Sequence, residues 1–586
     1  MSLNDQELEP TTVEERLLGA DLSRRSLIKR VMAVGLATPA VAGLLAACGG
    51  DDDDDDVSTP AASGGEATSA TGAEATTPAG SGESTPAAGG EATTAPSGGD
   101  DVVAEGEIVI MQGVDANTLD PHMRNATPEF NVNVHIFDMA LARNSETLEI
   151  LPGMFSEWES VDELTWQFTL QEGATFHNGT PVTADSAVFT FERASQPTIG
   201  EATTVQSLAT QIGFESVSKI DDLTIEVKTS KPAAIFPDLL TSFEIMPEDY
   251  YADTTAEGLA KVAQSPVGSG PYIFKEWVRD DHITLEANPD YWGTKPAVKT
   301  VIFRPVPELS ARVVALQNEE ANIIVNVAPD VAPQIESGDT TRLSTVTGGR
   351  NIFIGIRCDR EPFNDVRVRQ ALNLGIDFDG IREALLNGYG ERTRTIVNPP
   401  NENMAIEAWP YDPERAKALL AEAGVPEGFE ITMDAPSGRY IKDAEMAQAI
   451  AQGYEAIGLK VNLKVLEWSV YAGELLPSGD PDDLFFLGLG SPFSGEQELF
   501  YVHPDFSLNF TFWQNDDYVA KFAELNKEVD VAKRKALMDE IQVIVQEECP
   551  WVFLWHQVDL YGVSKDLEWS SRADERIDAA TAQWGI

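Results

Sequence analysis

The side chains best suited to catalysis or metal binding are few in this sequence and lie far apart. It holds six histidines and three cysteines, and no histidine pair has the H-E-x-x-H spacing that brings two imidazoles and a base together on one helix. It also lacks a G-x-S-x-G nucleophile turn and a phosphate-cradling Walker loop. We therefore predict no catalytic residue, no metal site and no cofactor, and expect that the protein is not an enzyme. The alternative, a secreted lipoprotein hydrolase, would need a carboxylate pair or an activated nucleophile.

Cys48 is the one residue whose surroundings predict a chemical modification. Residues 23–29 read SRRSLIK and resemble the twin-arginine export motif, with Arg24 and Arg25 as its pair. The apolar residues 31–47 follow, and residues 45–48 read LAAC, which is typical of a lipobox. In a lipobox the small residues admit the signal peptidase, and the cysteine thiol accepts diacylglycerol before cleavage. We predict that residues 1–48 are a lipoprotein signal peptide and that Cys48 is lipidated.

The same apolar run could instead be a transmembrane helix. It contains Gly35, Pro39 and Gly43 and is shorter than the roughly 20 strongly apolar residues that a span needs. The order of the two signals favours a cleaved lipoprotein leader. No other stretch of the sequence approaches spanning length. We expect an extracytoplasmic protein that is held by its lipid anchor only, on the periplasmic side or at the cell surface.

Residues 49–105 are a low-complexity segment of Gly, Ser, Thr, Ala, Pro and Glu, with six aspartates at 51–56. Because it has almost no large apolar side chains, it cannot offset the entropy of ordering, and we predict a disordered tether. As a random coil it would reach roughly 40 Å from the membrane. The aspartates could form a calcium site, but spaced oxygen ligands and a glycine turn are missing.

The rest of the chain is large and acidic. A chain of 586 residues exceeds the roughly 250–300 residues that one core fills, so two or three lobes are expected. It contains 96 Asp and Glu against 41 Lys and Arg, a net charge of −55. A phosphate-binding surface needs clustered basic residues, so we predict that the protein binds no nucleic acid.

Cysteine content indicates neither a disulfide scaffold nor a four-thiolate metal site. Cys358 and Cys549 remain after the predicted processing. In an oxidising compartment they could pair, or they could stay as two buried thiols. The sequence leaves both arrangements open, since it does not give the distance between them.

Hydrophobic periodicity predicts strands and helices that alternate along the body. The expected strands are 108–111, 164–170 and 459–465, and the expected helices are 184–194, 413–423 and 443–457. Thr183 and Asp412 are predicted N-caps, and Gly424 is expected to end the second helix. Gly268 and Gly270 should let the chain turn tightly beside another backbone. A helix followed by a strand, repeated, is typical of an α/β lobe.

Five blocks of sequence stand in a fixed order along the body. They are residues 151–185, 266–272 (PVGSGPY), 288–292 (NPDYW), 362–372 (PFNDVRVRQAL) and 411–416 (YDPERA). Together they resemble the signature of family 5 extracellular solute-binding proteins, the oligopeptide-, dipeptide- and nickel-binding class of ABC importers. The resemblance covers residues 107–586.

The resemblance implies an α/β fold of the large, type II periplasmic-binding-protein class. Such a fold has two lobes, a hinge of two crossover strands and an extra domain on the first lobe. On this basis residues 106–315 would form lobe I with its inserted domain, residues 316–549 lobe II, and residues 550–586 a C-terminal return to lobe I.

The resemblance also implies where a ligand sits. Family members clasp an extended ligand between the lobes, often through main-chain hydrogen bonds as in strand addition. The family's ligand-lining strand maps onto residues 485–491, and Trp468 matches a tryptophan of the pocket. An aspartate that holds a peptide's ammonium group falls here at Pro492, and Phe486 stands in place of an arginine, so Glu496 or Glu498 would have to supply the charge. The predicted ligand-binding residues are Asn125, Thr127, Arg439, Tyr440, Trp468, Phe486, Leu487, Gly488, Leu489, Gly490, Ser491, Glu496 and Glu498.

The implied function is capture of a peptide or similar small solute, by a monomer that delivers it to ABC permease subunits in the membrane. The departures at Pro492 and Phe486 leave an oligosaccharide or another small solute, such as an opine or a nickel complex, open as the ligand. A sugar binder would use aromatic platforms such as Trp468, Trp513 and Phe486. A zwitterionic peptide would need paired charges instead.

Overall fold

The structure is a computed structural model that describes residues 105–124, 127–196, 209, 211–490, 493–506 and 509–585. Several predictions fall outside the described residues: the signal peptide with Arg24, Arg25 and Cys48, the tether, and the candidates Asn125, Ser491 and Pro492. In the part that is described, every helix is too short or too polar to cross a bilayer.

The described chain forms four β-sheets. The strands are β1 Glu105–Gln112, β2 Leu141–Arg143, β3 Ile150–Pro152, β4 Phe155–Asp162, β5 Thr165–Leu170, β6 Phe214–Lys219, β7 Thr224–Thr229, β8 Tyr272–Val278, β9 His282–Ala287, β10 Val298–Pro305, β11 Ile323–Ile324, β12 Thr341–Ile356, β13 Glu430–Ser437, β14 Lys460–Glu467, β15 Leu484–Gly490, β16 Trp551–Ser564, β17 Leu567–Glu568 and β18 Gln583–Trp584. The largest sheet has the order β14-β13-β15-β12-β16-β11-β1-β10-β9-β8.

Helices cover these sheets. The α-helices are Thr127–Ile136, Ala184–Ala194, Phe236–Leu240, Glu248–Tyr251, Ala256–Gln264, Leu309–Gln317, Ala332–Glu336, Val366–Leu374, Phe378–Leu386, Pro413–Glu422, Asp443–Ala456, Trp468–Val470, Leu476–Ser478, Glu496–Phe500, Asp516–Leu525 and Val531–Glu548. A π-helical turn spans Tyr471–Leu475, and a 3-10 turn spans Ala579–Thr581.

The long strands β12 and β16 connect two lobes. At one end Thr341 of β12 lies opposite Ser564 of β16, and β11 joins β16 there. At the other end Gly355 lies opposite Trp551, and β15 joins β12. Separate hydrophobic cores form on the two sides, one against β1, β9 and β10 and the other against β13, β15 and the helix Asp443–Ala456. The predicted α/β fold with two crossover strands is therefore present.

An inserted domain extends the first lobe. Its antiparallel sheet has the order β4-β5-β7-β6 and packs on the helix Ala184–Ala194 around Phe168, Phe191 and Phe236. The strand and helix predicted here are confirmed. Thr183 precedes the helix, and its backbone N–H donates a hydrogen bond to Ser186 Oγ at 2.9 Å.

The turn at Gly268 and Gly270 lies against the end of the helix Thr127–Ile136. A Cβ atom on Gly268 would lie 2.0 Å from the carbonyl oxygen of Ile136, and one on Gly270 would lie 2.7 Å from that of His135. The Gly270 N–H donates to the Ile136 carbonyl at 2.9 Å. The predicted close approach of two backbones is confirmed, and it explains why glycine stands at both positions.

Local signals also set the helix ends of the second lobe. The side chain of Asp412 accepts a hydrogen bond from the Arg415 N–H at 2.9 Å, which satisfies a free donor at the start of the helix Pro413–Glu422. Gly424 follows this helix with a φ of +78°. The helix Asp443–Ala456 is followed by β14, as the periodicity predicts.

Cys358 and Cys549 are both free and buried. Burial raises the pKa of the Cys358 thiol to about 12 and the pKa of Cys549 in the same direction. Of the two arrangements that the sequence leaves open, the structure has the two buried thiols.

Candidate functional site

The pairing of β12 with β16 is interrupted where the two strands pass between the lobes. Thr347 lies opposite Val558, but Asn351 lies opposite His556, so three residues of β12 face one residue of β16. Extra residues on one strand make a bulge, which changes where its side chains point. The bulge is formed by Gly348, Gly349 and Arg350.

The bulge brings the backbone close to Asp559 of β16. A Cβ atom on Gly348 would lie 2.4 Å from Asp559 Oδ2, so a larger residue here would force the Asp559 side chain to move. Asp559 Oδ1 accepts a hydrogen bond from Gln557 Nε2 at 3.0 Å, whereas Oδ2 is buried without a hydrogen-bond donor. Arg350, at the other end of the bulge, lies opposite Gly490 of β15.

One edge of β15 opens beside this bulge. β13 pairs with β15 only at Leu484 and Phe485, so the edge is not covered by a strand from Phe486 onward. Tyr440 covers it at Gly488. Its hydroxyl accepts a hydrogen bond from the Gly488 N–H at 2.9 Å and donates one to the Gly488 carbonyl at 3.1 Å.

Two further tyrosines bind the same edge. The Tyr471 hydroxyl donates to the Phe486 carbonyl at 2.7 Å, and the Tyr501 hydroxyl donates to the Gly490 carbonyl. Together with Tyr440, they satisfy alternate peptide groups of β15 from within the protein. These are the groups that an added strand would use.

Arg439, Tyr440 and Trp468 come together beside this edge. The Arg439 guanidinium carbon lies 5.3 Å from the Tyr440 ring centroid and 5.5 Å from that of Trp468. Trp468 stacks on Tyr471 with centroids 6.0 Å apart and remains half-buried. The arrangement places a cation over two aromatic rings, and the cation–π attraction helps to hold the guanidinium in position.

Charges of both signs meet at this place. Although part of the Arg439 side chain reaches solvent, burial lowers the pKa of its guanidinium, and the nearby Arg350 lowers it further. Burial raises the pKa of the Asp559 carboxyl, and the charge of Glu575 raises it further. Glu575 accepts a hydrogen bond from the Thr127 hydroxyl at 3.4 Å.

Similarity to known proteins extends over most of the body. A sequence model of the bacterial extracellular solute-binding proteins, family 5 Middle, matches residues 149–502, which is more than half of the chain. This chain belongs to family 5 of the bacterial extracellular solute-binding proteins. The predicted family is thus confirmed. Members of this family serve ABC importers, and the relatives described next are binding proteins rather than enzymes.

Two curated relatives and one solved structure illustrate the similarity. The dipeptide-binding protein of Escherichia coli (strain K12) is 28% identical over 457 aligned residues, covering 72% of this chain and 84% of the relative. Heme-binding protein A of Haemophilus influenzae is 30% identical over 452 residues, covering 70% and 79%. HbpA2 from Haemophilus parasuis has a TM-score of 0.76 at 23% identity, over 82% of this chain and 100% of that chain. The predicted two-lobe fold is confirmed.

In this family 5 member, the large side chains of the strand that was predicted to line the ligand point into the core. Phe486, Leu487 and Leu489 are at most 4% exposed. Trp513, considered as a sugar platform, is 2% exposed. Residues 486–490 therefore offer main-chain groups rather than large side chains, and tyrosine hydroxyls already bind the carbonyls of Phe486, Gly488 and Gly490.

The two glutamates considered as replacements for the family's aspartate are buried. Glu496 Oε2 accepts a hydrogen bond from Arg534 Nη2 at 2.9 Å, so its charge already has a partner. Glu498 is 0% exposed, and its Oε2 accepts from the Ser494 hydroxyl at 3.3 Å. Neither carboxylate is presented to solvent beside Trp468.

Sequence reasoning missed Arg350, Asp559 and Glu575. A pair of glycines at 348 and 349 inside a strand pattern is a signal for a bulge, and it would have directed attention to Arg350. Asp559 and Glu575 carry no such signal, because only the fold brings them beside the bulge. Among the described residues, no three His, Cys, Asp or Glu side chains are grouped closely enough to hold a metal ion.

Proposed function

We propose that this family 5 protein is the lipid-anchored, monomeric substrate-binding subunit of an ABC importer. It captures a peptide or a similar small solute between its lobes and delivers the solute to the permease. The observation that carries the proposal is the family 5 match over residues 149–502, on a body in which the strands β12 and β16 pass between two lobes. The relatives differ in what they are named for, a dipeptide and a haem, so the ligand has to be argued from the site itself.

The domain boundaries proposed for this chain follow the predicted ones. Residues 1–48 are the signal peptide and residues 49–105 the tether. Residues 106–315 form most of lobe I with its inserted domain, and residues 550–586 return to lobe I. Residues 316–549 form lobe II except at their start, where β11 pairs with β1 in the sheet of lobe I. The pairing of β16 with β11 supports the return, because it places the end of β16 in the sheet of the first lobe.

A thermal-shift screen of the purified full chain tests solute binding. Separate mixtures of free dipeptides and tripeptides, oligosaccharides, opines and Ni²⁺ should be compared. A true ligand at about 100 Kd should stabilise the protein by roughly 2.7 kcal/mol, because it binds only the folded state. We expect the peptide mixture to raise the melting temperature. If no mixture raises it, the proposed function is contradicted.

Cys48→Ala should abolish lipid attachment and leave the precursor poorly cleaved, because the thiol that accepts diacylglycerol is absent. Labelling cells with an alkyne fatty acid measures this directly. Cys358→Ala is the matched control and should label like the parent, since Cys358 lies buried in the body. Lipid on the Cys48→Ala protein would show that the anchor is elsewhere.

The twin-arginine prediction is tested separately from lipidation. Replacing Arg24 and Arg25 together by lysine keeps the charge of the leader but removes the guanidinium pair of the motif. Export should stop, and the protein should accumulate inside the cell as an unlipidated precursor. Normal export of this variant would assign the leader to another route.

A further inference from the structure

The turn at Gly268 and Gly270 joins two parts of the first lobe, and each part brings a histidine to it. The Gly270 N–H donates to the carbonyl of Ile136, the neighbour of His135 at the end of the helix before β2. His177 belongs to a loop of the inserted domain, and its backbone N–H donates to the Gly268 carbonyl at 2.8 Å. Both imidazoles therefore lie at the junction of the inserted domain with the rest of the lobe.

The turn holds the half-buried imidazole of His177 in one tautomer. Nε2 lies 3.0 Å from the Gly270 carbonyl oxygen, and Nδ1 accepts a hydrogen bond from the Gly268 N–H at 3.4 Å. A backbone carbonyl can only accept and a backbone N–H can only donate, so His177 is neutral with its proton on Nε2. A second proton, on Nδ1, would point at the Gly268 N–H and break that contact.

The imidazole of His135 is fixed in the other tautomer. It is 0% exposed, and its Nδ1 lies 2.8 Å from the Asn131 carbonyl oxygen one helical turn earlier. Its Nε2 accepts a hydrogen bond from the Ala579 N–H at 2.9 Å. His135 is therefore neutral with its proton on Nδ1. A proton on Nε2 would set two N–H groups against each other.

The Ala579 N–H belongs to the C-terminal segment, which we define as residues 577–585. This segment also reaches the first lobe through the Ile577 N–H, which donates to Asn131 Oδ1 at 3.2 Å, and through the Ala579 carbonyl, which accepts from the Tyr272 hydroxyl at 3.4 Å. Ile577 and Ala579 are both 0% exposed. An N–H that loses its acceptor at such a buried place is costly, so protonation of His135 opposes docking of the segment.

We propose that His135 and His177 are pH-sensitive contacts that hold two segments of the first lobe in place. Neutral His135 holds the C-terminal segment, and neutral His177 holds residues 174–182 of the inserted domain on the turn. When either imidazole takes up a proton from solvent, it loses its bond from a backbone N–H and releases the segment that it holds. The proposal concerns the lobe itself and does not depend on which solute the protein carries.

The groups that face His135 act in both directions. Burial has the largest effect and lowers the pKa of His135, whereas the charge of Asp578 and main-chain groups of its own helix raise it, and the net shift is downward. The rings of Tyr272 and Phe303 pack edge-on against the imidazole, each with centroids 5.5 Å away. Burial also raises the pKa of the Tyr272 hydroxyl, so this group stays neutral.

The surroundings of His177 carry less charge. Burial lowers its pKa, and the hydrogen bond to the Gly270 carbonyl raises it by less. The turn of residues 266–272 has no charged side chain. Asp249 accepts a hydrogen bond from the Asn178 side chain at 3.1 Å, and the hydroxyl of Tyr251, which contacts the start of the turn, has its pKa raised by burial.

Asp138, at the same junction, responds to acid in the opposite direction. Its carboxylate accepts hydrogen bonds from the Tyr291 hydroxyl at 2.7 Å and the Trp292 indole N–H at 2.8 Å, and burial raises its pKa to about 6. An acid with a raised pKa takes up a proton more readily in the folded state, so acid favours the fold here. Global unfolding therefore combines opposing effects, and a local measurement is needed.

The sign and size of the response follow from proton linkage. An imidazole that stays neutral while docked but titrates near its usual pKa of about 6.5 once released shifts the equilibrium toward release by up to about 30-fold at pH 5.0. At pH 7.5 the same imidazole is neutral in both states and shifts it little. Each contact is thus at full strength above about pH 6.5 and weakens as the pH falls below that value.

Hydrogen exchange of the full chain at pH 7.5 and 5.0, read by mass spectrometry and corrected for the intrinsic pH dependence of exchange, measures these local openings. At pH 5.0, residues 577–585 and 174–182 should lose protection about ten- to thirty-fold. The helix Asp443–Ala456 of the second lobe is the control and should keep its protection. Unchanged protection of both segments would overturn the inference, and a single unchanged segment would overturn it for the histidine concerned.

Two variants assign each response to its histidine. Glutamine keeps a donor and an acceptor but does not titrate. His135→Gln should remove the pH response of residues 577–585 and leave that of residues 174–182, and His177→Gln should do the reverse, so each variant is the control for the other. A pH response that persists at the altered contact would overturn the assignment. The measurement on the parent protein tests the release even where a variant does not fold.

Discussion

Replacing Asp120 with alanine should lower the free energy of unfolding by about 3–5 kcal/mol, because it leaves a buried arginine charge without its partner. Arg193 donates to both oxygens of Asp120, at 2.6 and 3.2 Å, and the two side chains are at most 1% exposed. Asp120 also accepts a hydrogen bond from the His122 N–H at 3.0 Å. The pair joins the chain after β1 to the inserted domain, and urea unfolding of the purified protein measures its loss.

The control for Asp120→Ala is an exposed pair of the same kind. Arg415 and Glu422 lie 2.9 Å apart, and each side chain is 50% exposed. Glu422→Ala should change the free energy of unfolding by less than about 1 kcal/mol, since exposed pairs are screened by water and salt. An Asp120→Ala effect as small as that of the control would contradict the account of this contact.

Arg369→Ala should lower the free energy of unfolding by about 2–4 kcal/mol, since each buried carbonyl left without a donor costs about 1–3 kcal/mol. The guanidinium of Arg369 donates to the carbonyls of Glu548 at 2.7 Å, Phe363 at 3.0 Å and Asn364 at 3.3 Å. It also pairs with the Glu548 carboxylate at 2.9 Å. Urea unfolding again provides the measurement.

Two further variants test whether the carbonyl contacts of Arg369 account for its effect on stability. Arg369→Lys keeps the charge but cannot reach three carbonyls with one ammonium group, so it should lose part of the stability. Arg367→Ala, in the same helix but solvent-exposed, should change stability little. If Arg369→Lys is as stable as the parent, the carbonyl contacts are not what this arginine contributes.

The roles of residues that act on close neighbours in the sequence were predictable from the sequence. Asp412 caps its helix through a neighbour three residues away, and the period-2 pattern of β5 needs only its own residues. Gly268 shows that even a contact between distant backbones can be predicted when only glycine fits it. In these cases the chain carries the signal within a few positions.

The site was less predictable because its partners come from separate elements. The tyrosine hydroxyl that binds Gly488 is 48 residues away in sequence, and nothing in a tyrosine shows which carbonyl it will meet. The same holds for Glu496, whose exposed charge was expected but whose partner, Arg534, lies on another helix. Arg350 depends on a bulge whose register is set by β16.

Small-angle X-ray scattering of the full chain, with and without the solute that stabilises it, tests the central claim of capture between two moving lobes. A solute that contacts both lobes favours the closed state, so the radius of gyration should fall at saturation. A radius that stays the same for the parent protein at saturating solute would contradict capture by lobe closure.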